Sequence, residues 1–388
     1  MSTGIKGPNN SRKLLYILNV AEKVNNFSYT SMLAAQYAGY EFHIAGNWSY
    51  LSEAERKADE DKYGIKIYQI DFIRTPYHPQ NIKAYRQLKK LLKRERFDVI
   101  HCNTPIGGLL GRLAAKSCGI QKVIYQAHGF HFYKGSPLKN WILYYPVEKA
   151  LARVTDVLLT INKEDYVFAK DNLSLRNNGE VLYVPGVGID VSYFANQDTD
   201  EYKRKKRAEL GIGSSDFLLI CVGRLDKNKN VETLIRSISK TDVDNIKLLI
   251  CGDGYQKDFL EGLSRELGVS NRVIFAGIRN DVKDLYHSSD ALVMASYREG
   301  LSRTIMEAMA CGLPCIVSKI RGNTDLIDNK KGGALCEPDS ADEFASSIML
   351  LYGNKDEAKA MGAANFEKIK AFDISVVVNR MIDIYSKM

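Results

Sequence analysis

The sequence predicts an α/β protein made of two doubly wound parallel sheets. Three observations support this fold class. Strand and helix patterns alternate through the first half, Pro185, Gly186 and Gly188 interrupt them, and the alternation then starts again. The length of 388 residues is enough for two or three domains with substantial cores.

Short apolar runs predict the strands of the first half, because buried parallel strands read as continuous hydrophobic segments. The first run follows a polar tail at residues 1–12, and the fourth enters a loop with Pro and Gly that leads to a helix. The predicted strands lie at residues 13–20, 42–45, 67–70, 97–102, 122–127 and 154–161.

The second half repeats this pattern after a linker. Its predicted strands lie at residues 217–222, 247–251, 273–275, 291–295 and 314–318, and its predicted helices at 231–239, 255–267, 282–287, 303–311 and 374–385. We therefore expect a first domain at residues 13–185, a linker at 186–200, a second domain at 201–370 and a C-terminal helix within 371–388.

Composition places the chain among globular proteins, with 45% hydrophobic and 26% charged residues. It has no apolar run of about 18 residues, the length that predicts a membrane span. The first residues lack the apolar core of a signal peptide. The seven cysteines are scattered, so we expect reduced thiols in a cytoplasmic protein.

The net charge of +8 comes from the first half. Residues 1–185 hold 26 Lys and Arg against 16 Asp and Glu, whereas residues 186–388 hold 28 against 30. Such an excess favours anionic partners. Because no recognised nucleic-acid motif accompanies the charge, we expect no nucleic-acid partner.

The densest basic segment is a predicted amphipathic helix at residues 81–96. Its apolar residues recur at helical spacing, so one face is expected to pack on the sheet. Two interpretations remain open for the basic face: a solvated surface, or a contact with an anionic membrane. The candidate membrane-facing residues are Lys83, Arg86, Lys89, Lys90, Lys93 and Arg94.

Two acidic residues follow the predicted strand at residues 291–295. Glu299 falls in the next loop, and Glu307 falls about one turn inside a short helix that Ser302 is expected to cap. Ligands of open α/β sheets bind at the carboxyl ends of strands, and a helix start favours an anion such as a diphosphate. A carboxylate nearby can accept hydrogen bonds from sugar hydroxyls. The arrangement suits a nucleotide-sugar. The alternative is that both acids are solvated surface residues near a helix start, which would give the same sequence pattern.

The segment at residues 298–314 resembles the E-x7-E signature of the family 4 retaining glycosyltransferases, which have the GT-B fold. The likeness includes Glu299-Gly300, the helix with Glu307-Ala-Met-Ala, and the Cys-Gly-Leu-Pro stop before the next strand. It implies two Rossmann-like domains with a cleft between them, the donor in the second and the acceptor in the first. It also implies that the C-terminal helix crosses back to the first domain.

A second motif lies at residues 223–230 and resembles the family's G-R-L-x-x-x-K-N segment. Gly223 allows close backbone approach. By resemblance, Arg224 and Lys229 hold the donor diphosphate, and two cations there can stabilise its charge as it leaves. A surface ion pair is the alternative for Arg224. With these cations we expect no cofactor and no divalent ion.

Two further loops resemble segments on the nucleotide side of the family's site. Gly252 follows the second strand of the second half, and Arg279 follows a Phe-x-Gly segment that implies a place near the base. The resemblance also assigns Glu307 to the ribose hydroxyls. The residues implied to contact the donor sugar are Glu299, Gly300, Leu301 and Ser302.

His128 ends the predicted strand at residues 122–127. The resemblance places it beside the reacting sugar, so His128 and Glu299 are the candidate catalytic residues; a histidine satisfied by a turn is the alternative. For His131 both interpretations remain open. The aromatic stretch at residues 128–148 resembles bacterial exopolysaccharide and capsule glycosyltransferases. Its rings are open to three roles: stacking on an acceptor sugar, contact with lipid, or core packing.

Two segments argue against direct transfer of family features. The loop expected at residues 19–30 lacks the Gly-rich pattern of many relatives, so their acceptor contacts are not assigned here. Asp242-Val-Asp244 has the spacing of a metal-binding motif but precedes a strand. We interpret it as structural and expect no metal site.

These features predict a retaining hexosyltransferase that moves a sugar from a nucleotide-sugar, expected to be a UDP-sugar, to a polyprenyl-diphosphate-linked saccharide in exopolysaccharide or capsule biosynthesis. The expected partners are that donor, that acceptor and the inner surface of the cell membrane, with a cytoplasmic, peripherally bound enzyme. Two alternatives remain: a GT-B-fold sugar-nucleotide epimerase, or a non-catalytic protein that binds nucleotide or anionic lipid.

Overall fold

A computed structural model describes residues 12–24, 26–76, 78–195 and 200–388. Apart from Arg12, the predicted polar tail lies outside the described residues. The chain divides into two compact units. The N-terminal unit comprises the described residues up to Gly188 together with Ile374–Met388, and the C-terminal unit comprises Ile189–Asp373.

Parallel strands form the sheet of the N-terminal unit in the order β3-β2-β1-β4-β5-β6-β7. The strands are β1 (Arg12–Val20), β2 (Tyr40–Asn47), β3 (Lys66–Gln69), β4 (Val99–Asn103), β5 (Lys122–Ala127), β6 (Val157–Thr160) and β7 (Glu180–Tyr183). The helices between them are α1 (Asn26–Tyr37), α2 (Glu53–Tyr63), α3 (Gln80–Glu95), α4 (Pro105–Cys118), α5 (Leu138–Ala152) and α6 (Lys163–Asn172).

Helices cover both faces of this sheet. Side chains of α3, α4, α5 and α6 share one apolar cluster on one face, whereas α1 and the C-terminal helix α16 (Ile374–Ser386) share the cluster on the other. Strand β1 is buried from Leu14 to Leu18 because it contributes to both clusters.

The C-terminal unit repeats this architecture with the order β10-β9-β8-β11-β12-β13, again parallel. Its strands are β8 (Phe217–Val222), β9 (Ile246–Cys251), β10 (Val273–Gly277), β11 (Ala291–Met294), β12 (Cys315–Ser318) and β13 (Gly333–Cys336). Its helices are α7 (Val191–Ala195), α8 (Asp200–Glu209), α9 (Val231–Ser239), α10 (Lys257–Glu266), α11 (Val282–Ser288), α12 (Arg303–Ala310), α13 (Asn323–Leu326), α14 (Ala341–Gly353) and α15 (Lys355–Ile369). The predicted fold class of two doubly wound parallel-sheet domains is confirmed.

Three local predictions differ from the structure. Helix α1 begins at Asn26, inside the loop expected at residues 19–30. This start was missed because the buried face of the helix carries Ser28, Thr30 and Ser31, which interrupt the apolar periodicity of the sequence. Strands β7 and β13 and helices α14 and α15 were not predicted, although residues 181–183 of β7 are a short apolar run. Within the expected linker, α7 buries Val191 and Phe194 in the core of the C-terminal unit; residues 196–199 lie outside the described residues.

Helix α16 is joined to the N-terminal sheet by polar as well as apolar contacts. The Tyr385 hydroxyl lies 2.7 Å from His101 Nδ1, and the Tyr40 hydroxyl donates to the Tyr385 carbonyl over 3.3 Å. Tyr385 and His101 are both fully buried. Nowhere in the described part of the chain is a helix long and apolar enough to cross a bilayer.

Burial gives His101 a pH-dependent role in stability. Loss of hydration lowers the pKa of His101 from 6.5 to about 3. Between these two values the unfolded chain binds a proton that the folded chain rejects, so the free energy of unfolding falls as the pH is lowered through this range. We expect the His101 ring to remain neutral by NMR at pH values well below 6.5 while the protein stays folded.

The stability change can be assigned by comparing denaturant midpoints at neutral and mildly acidic pH. His101→Leu removes the titrating group, so its midpoint should depend less on pH than that of the wild type. A His101 signal that titrates near 6.5 in the folded protein would contradict this account.

Candidate active site in the C-terminal unit

The sheet of the C-terminal unit has a topological switch point between β8 and β11. From β8 the chain builds β9 and β10 on one side and then returns to β11 on the other. Loops that leave the carboxyl ends of two such strands diverge and create a crevice, the usual ligand position in open α/β sheets. The two predicted motifs, at residues 223–230 and 298–307, follow β8 and β11.

Hydrogen bonds hold these two loops against each other. The Tyr297 N–H donates to the Asn228 carbonyl over 2.8 Å, and the Asn228 side-chain amide donates to the Arg298 carbonyl over 3.1 Å. Farther along, the Thr304 hydroxyl donates to the carbonyl of Val222 over 3.4 Å. The motifs therefore form one surface, although they are about 75 residues apart in sequence.

Lys229 and Glu299 meet directly across this surface. Their side chains form an ion pair with 2.6 Å between Lys229 Nζ and Glu299 Oε1, and they are 22% and 14% exposed. The Lys229 N–H also donates to Asp226 Oδ1 over 3.1 Å, which fixes the turn that presents the lysine. One predicted cation and one predicted acid are thus neighbours.

Arg224 differs from Lys229 in its surroundings. Its side chain is exposed, and within the described residues its guanidinium forms no hydrogen bond or ion pair. Because the desolvation of an arginine is repaid best by a bidentate anion, this group is suited to a diphosphate.

Glu307 lies in the second turn of α12 and is held by two donors. The Tyr286 hydroxyl donates to Glu307 Oε2 over 3.2 Å, and Arg303 Nε donates to Oε1 over 2.8 Å. Tyr286 is fully buried, and burial together with the Glu307 charge raises its pKa, so the phenol keeps its proton. The carboxylate is 16% exposed and retains lone pairs for further donors.

The start of α12 has no side-chain cap. Ser302 occupies the N-cap position, but its hydroxyl lies 3.6 Å from Met294 Sδ and makes no capping hydrogen bond. The expectation that Ser302 caps this helix is therefore wrong for its side chain. Gly300 and Leu301 precede it, half-buried, and Leu301 packs on the apolar cluster below.

Close backbone contacts align the carboxyl ends of β8, β9 and β10. The Gly223 N–H donates to the Cys251 carbonyl over 3.0 Å, and the Gly252 N–H donates to the Gly277 carbonyl over 2.7 Å. Gly252 has φ +148°, and a Cβ on it would lie 1.9 Å from the Gly223 carbonyl oxygen. Only glycine fits this position. Gly223 itself lies beside the side chain of Lys229.

Arg279, expected near the base, is held by carboxylates. Its guanidinium lies 2.8 Å from Asp281 Oδ1 and 3.0 Å from Glu209 Oε1. The hydrogen bond from Arg279, together with one from Lys206, lowers the pKa of Asp281, so the carboxylate stays charged. Arg279 follows the carboxyl end of β10, two strands from β8, and its contact with a base remains a prediction.

His128 belongs to the N-terminal unit, where it follows the carboxyl end of β5. Its Nε2 lies 3.0 Å from Asn103 Oδ1, at the end of the adjacent strand β4. Loss of hydration lowers the pKa of His128 to about 3, so the ring is neutral at physiological pH. A neutral imidazole can take part in a hydrogen bond with an uncharged sugar hydroxyl.

The aromatic stretch after His128 is largely core. Phe130 and Phe132 are buried and stack with ring centroids 4.9 Å apart, and Phe132 also contacts Trp141 and Tyr145 of α5. His131 lies against Tyr144, with centroids 4.8 Å apart. Of the three roles left open for these rings, core packing accounts for their contacts.

Helix α3 packs on the sheet as predicted through Leu88, Leu91 and Leu92, but Ile82 of the predicted apolar face is exposed. Two of its six candidate membrane-facing cations already have carboxylate partners: Lys83 pairs with Asp71 at 2.7 Å and Arg94 with Glu95 at 2.8 Å. Lys89 lies over the Tyr85 ring. In the described part of the chain, Arg86, Lys90 and Lys93 form no ion pair.

Sequence reasoning missed three residues of these sites: Tyr286, Asn228 and Asn103. Each acts through a hydrogen bond to a residue distant in sequence, so no local pattern identifies it. The described residues contain no group of three His, Cys, Asp or Glu side chains that could hold a metal ion. Asp242 and Asp244 lie before β9, at the amino end of that strand and away from the loops above.

Comparisons with known proteins assign the family. Residues 202–368 match the model for glycosyl transferases group 1, and residues 13–162 match the model for glycosyl transferase 4-like proteins. The Bacillus subtilis protein named "Putative glycosyltransferase EpsD" is 34% identical over 97% of both chains. An Escherichia coli UDP-Gal:alpha-D-GlcNAc-diphosphoundecaprenol alpha-1,3-galactosyltransferase is 28% identical over 80% of both chains.

Solved structures show the same fold. HepE of Anabaena in complex with UDP superposes with a TM-score of 0.78 at 18% identity, over 97% of this chain and 100% of that one. WaaG, a glycosyltransferase involved in lipopolysaccharide biosynthesis, superposes with a TM-score of 0.73 at 17% identity, over 96% and 99%. With these relatives and two matching family models, the chain belongs to the family 4-like, group 1 glycosyltransferases of the GT-B fold.

Proposed function

We propose that this glycosyltransferase moves the sugar of a UDP-sugar to a saccharide carried on polyprenyl diphosphate, with retention of anomeric configuration. The observation that carries the proposal is the convergence of Arg224, Lys229, Glu299 and Glu307 on the switch point between β8 and β11. Two cations, two acids and an uncapped helix start match the charge pattern of a nucleoside diphosphate bonded to a sugar.

The cations serve the diphosphate. The exposed guanidinium of Arg224 binds phosphate oxygens, and the Lys229 ammonium adds a second positive charge close by. As the bond between the anomeric carbon and the diphosphate oxygen breaks, negative charge grows on that oxygen, and these groups stabilise it more than they stabilise the intact donor. Neither residue needs a metal ion for this role, so the proposal includes no cofactor.

The acids serve the two sugars. Glu307 accepts hydrogen bonds from the ribose hydroxyls, in a position fixed by Tyr286 and Arg303. Glu299, with the N–H groups of Gly300, Leu301 and Ser302, contacts the transferred sugar. Because Glu299 is already paired with Lys229, the contact to the diphosphate and the contact to the sugar are coupled through one ion pair.

The chemical step follows from the family resemblance. The acceptor hydroxyl attacks the anomeric carbon on the face from which the diphosphate leaves, and its proton passes to the leaving diphosphate oxygen. No side-chain nucleophile is required, which agrees with a site whose acids hold hydroxyls. By the same resemblance, His128 is assigned to the reacting sugar; its ring is neutral, and its Nε2 lies 3.0 Å from Asn103 Oδ1.

The names of relatives support the donor and acceptor classes. The Escherichia coli relative uses UDP-Gal and an acceptor on diphosphoundecaprenol, and the Anabaena structure contains UDP. EpsD and a protein of a Klebsiella pneumoniae cps region favour a role in exopolysaccharide or capsule biosynthesis. The three unpaired cations of α3 are suited to the inner membrane surface on which such an acceptor resides.

The donor site is tested by calorimetric titration of UDP and GDP in EDTA. We expect the wild type to bind UDP without metal and Glu307→Ala to lose about ten- to a hundred-fold in affinity, the cost of losing hydrogen bonds to a charged group. Glu266→Ala, an exposed acid at the end of α10, is the matched control and should bind as the wild type does.

Preference for GDP would overturn the UDP assignment but keep the site. Unchanged binding by Glu307→Ala would overturn the role of that residue. Incubation with UDP-sugars and a polyprenyl-diphosphate saccharide then separates transfer from epimerisation. Transfer lengthens the acceptor, whereas an epimerase would change the UDP-sugar without any acceptor.

Tyr286 is expected to act as a positioning residue for Glu307. Tyr286→Phe removes the 3.2 Å hydrogen bond while keeping the ring in the core. If Glu307 binds the ribose, the wild type should bind UDP more tightly than 2′-deoxy-UDP, and this preference should shrink in Tyr286→Phe by about three- to ten-fold.

The matched control is Tyr202→Phe, which removes a tyrosine hydrogen bond to Asp284 in the same unit. It should keep the wild-type preference for UDP over 2′-deoxy-UDP. A purely structural role for Tyr286 would weaken both nucleotides equally, and that result would contradict the positioning role.

A further inference from the structure

Helix α5 is apolar on the side that faces the protein and also on the side that faces solvent. Toward the protein, Trp141, Tyr144 and Tyr145 pack against the cluster that contains Phe132. A helix that is apolar all round is normally covered on both sides. Only the inner side of α5 is covered in the described structure.

The outward side carries four large aliphatic residues. Leu138 is 72% exposed, Ile142 64%, Leu143 47% and Val147 42%. Leu138 with Ile142 and Leu143 with Val147 form two i,i+4 rows that lie about 100° apart around the helix, with Lys139 and Pro146 between them. This set, called here the α5 ridge, is an exposed apolar surface of the kind that marks an interaction site.

The exposed charges of α5 itself have one sign, whereas the adjacent helix α6 also exposes Glu164 and Asp171. Between Asp98 and Asp156 the chain contains a single acidic residue, Glu148. Glu148 is turned inward, 2.9 Å from the buried guanidinium of Arg112 and 3.2 Å from the Tyr125 hydroxyl. The exposed charges of this helix and its end are therefore all positive: Lys139, Lys149 and Arg153.

The neighbouring helix surfaces extend this character. Helices α3, α4 and α5 lie on the same face of the N-terminal sheet and share one apolar cluster. On α3, the unpaired cations Arg86, Lys90 and Lys93 accompany Ile82, which is 59% exposed. Helices α3 and α5 thus offer exposed aliphatic groups among cations.

We propose that the α5 ridge inserts into the interfacial region of an anionic lipid bilayer, with the basic residues of α5 and α3 at the lipid phosphates. Aliphatic side chains among lysines and arginines are the composition of helices that lie in the membrane interface, where the long cationic side chains reach back to the headgroups. The acidic surface of a lipid leaflet supplies the complementary charge.

A second copy of this chain fits the α5 ridge poorly. A twofold contact through the ridge would bring Lys139, Lys149 and Arg153 close to the same residues of the copy, and like charges at an interface oppose association. A bilayer has no such conflict. The inference rests on the proposed function in one respect: membrane contact would bring the enzyme to the proposed lipid-linked acceptor, which resides in that leaflet.

Sedimentation with lipid vesicles tests the proposal. The probes are vesicles of phosphatidylcholine alone and of phosphatidylcholine with an equal part of phosphatidylglycerol. We expect wild-type protein to bind the anionic vesicles, and the double variant Ile142→Ser with Leu143→Ser to lose about ten-fold or more in partitioning. Tyr37→Ser with Val376→Ser is the matched control, because it removes exposed apolar groups from the opposite helical layer and should bind as the wild type does.

Tryptophan fluorescence gives a second readout. The chain has two tryptophans, Trp141 on α5 and Trp48, which is fully buried in the opposite layer. Brominated lipids should therefore quench the wild type, and Trp141→Phe should abolish most of that quenching. Quenching that persists in Trp141→Phe would place the contact elsewhere.

Three outcomes would overturn the proposal. The first is that the wild-type protein does not bind anionic vesicles, and the second is that the α5 variant binds them as well as the wild type does. The third is a wild-type oligomer that dissociates into monomers in the α5 variant. Calorimetry of UDP binding on the same variants keeps the tests separate. Normal UDP binding without vesicle binding would reject the membrane inference and leave the donor site intact, whereas the reverse result would reject the donor assignment alone.

Discussion

The contact between Lys229 and Glu299 is the constraint on which the proposed donor site depends. It joins the loop after β8 to the loop after β11, and it is partly shielded from water, so its two charges interact more strongly than a fully exposed pair would. Gly252 lacks a Cβ and so allows the backbone to pack closely against Gly223, which lies beside the Lys229 side chain. The hydrogen bonds of Asn228 hold the two loops together. The cation proposed to bind phosphate and the acid proposed to bind sugar are thereby held at a fixed separation in the absence of ligand.

Much of the fold was predictable because parallel strands covered on both faces read as unbroken apolar runs. Strand β8 and helix α9 fall at the predicted residues, since one is continuously apolar and the other has a regular helical period. The start of α1 was missed for the opposite reason, because α1 buries Ser28 and Thr30 and its buried face does not read as apolar. Strand β7 does have an apolar run at residues 181–183, but it lies directly before the Pro and Gly residues that predicted a linker.

The site was predictable where its chemistry is local in sequence and unpredictable where it is not. The motifs around Lys229 and Glu307 each lie in one strand-to-helix connection. The Tyr286 hydrogen bond to Glu307 and the Glu209 contact to Arg279 depend on tertiary packing across 21 and 70 residues. His128 reaches Asn103 only because β4 and β5 are adjacent with Asn103 opposite Gln126. Likewise, the inward turn of Glu148 toward Arg112 could not be read from the composition of α5.

The measurement that tests the central claim most directly is a crystal structure of the protein with UDP. The account predicts the diphosphate beside Arg224, Lys229 and the start of α12, with the ribose hydroxyls within hydrogen-bond distance of Glu307. UDP bound at another edge of the sheet, or bound here with Glu307 touching only Tyr286 and Arg303, would contradict the assignment of the switch point between β8 and β11 as the donor site.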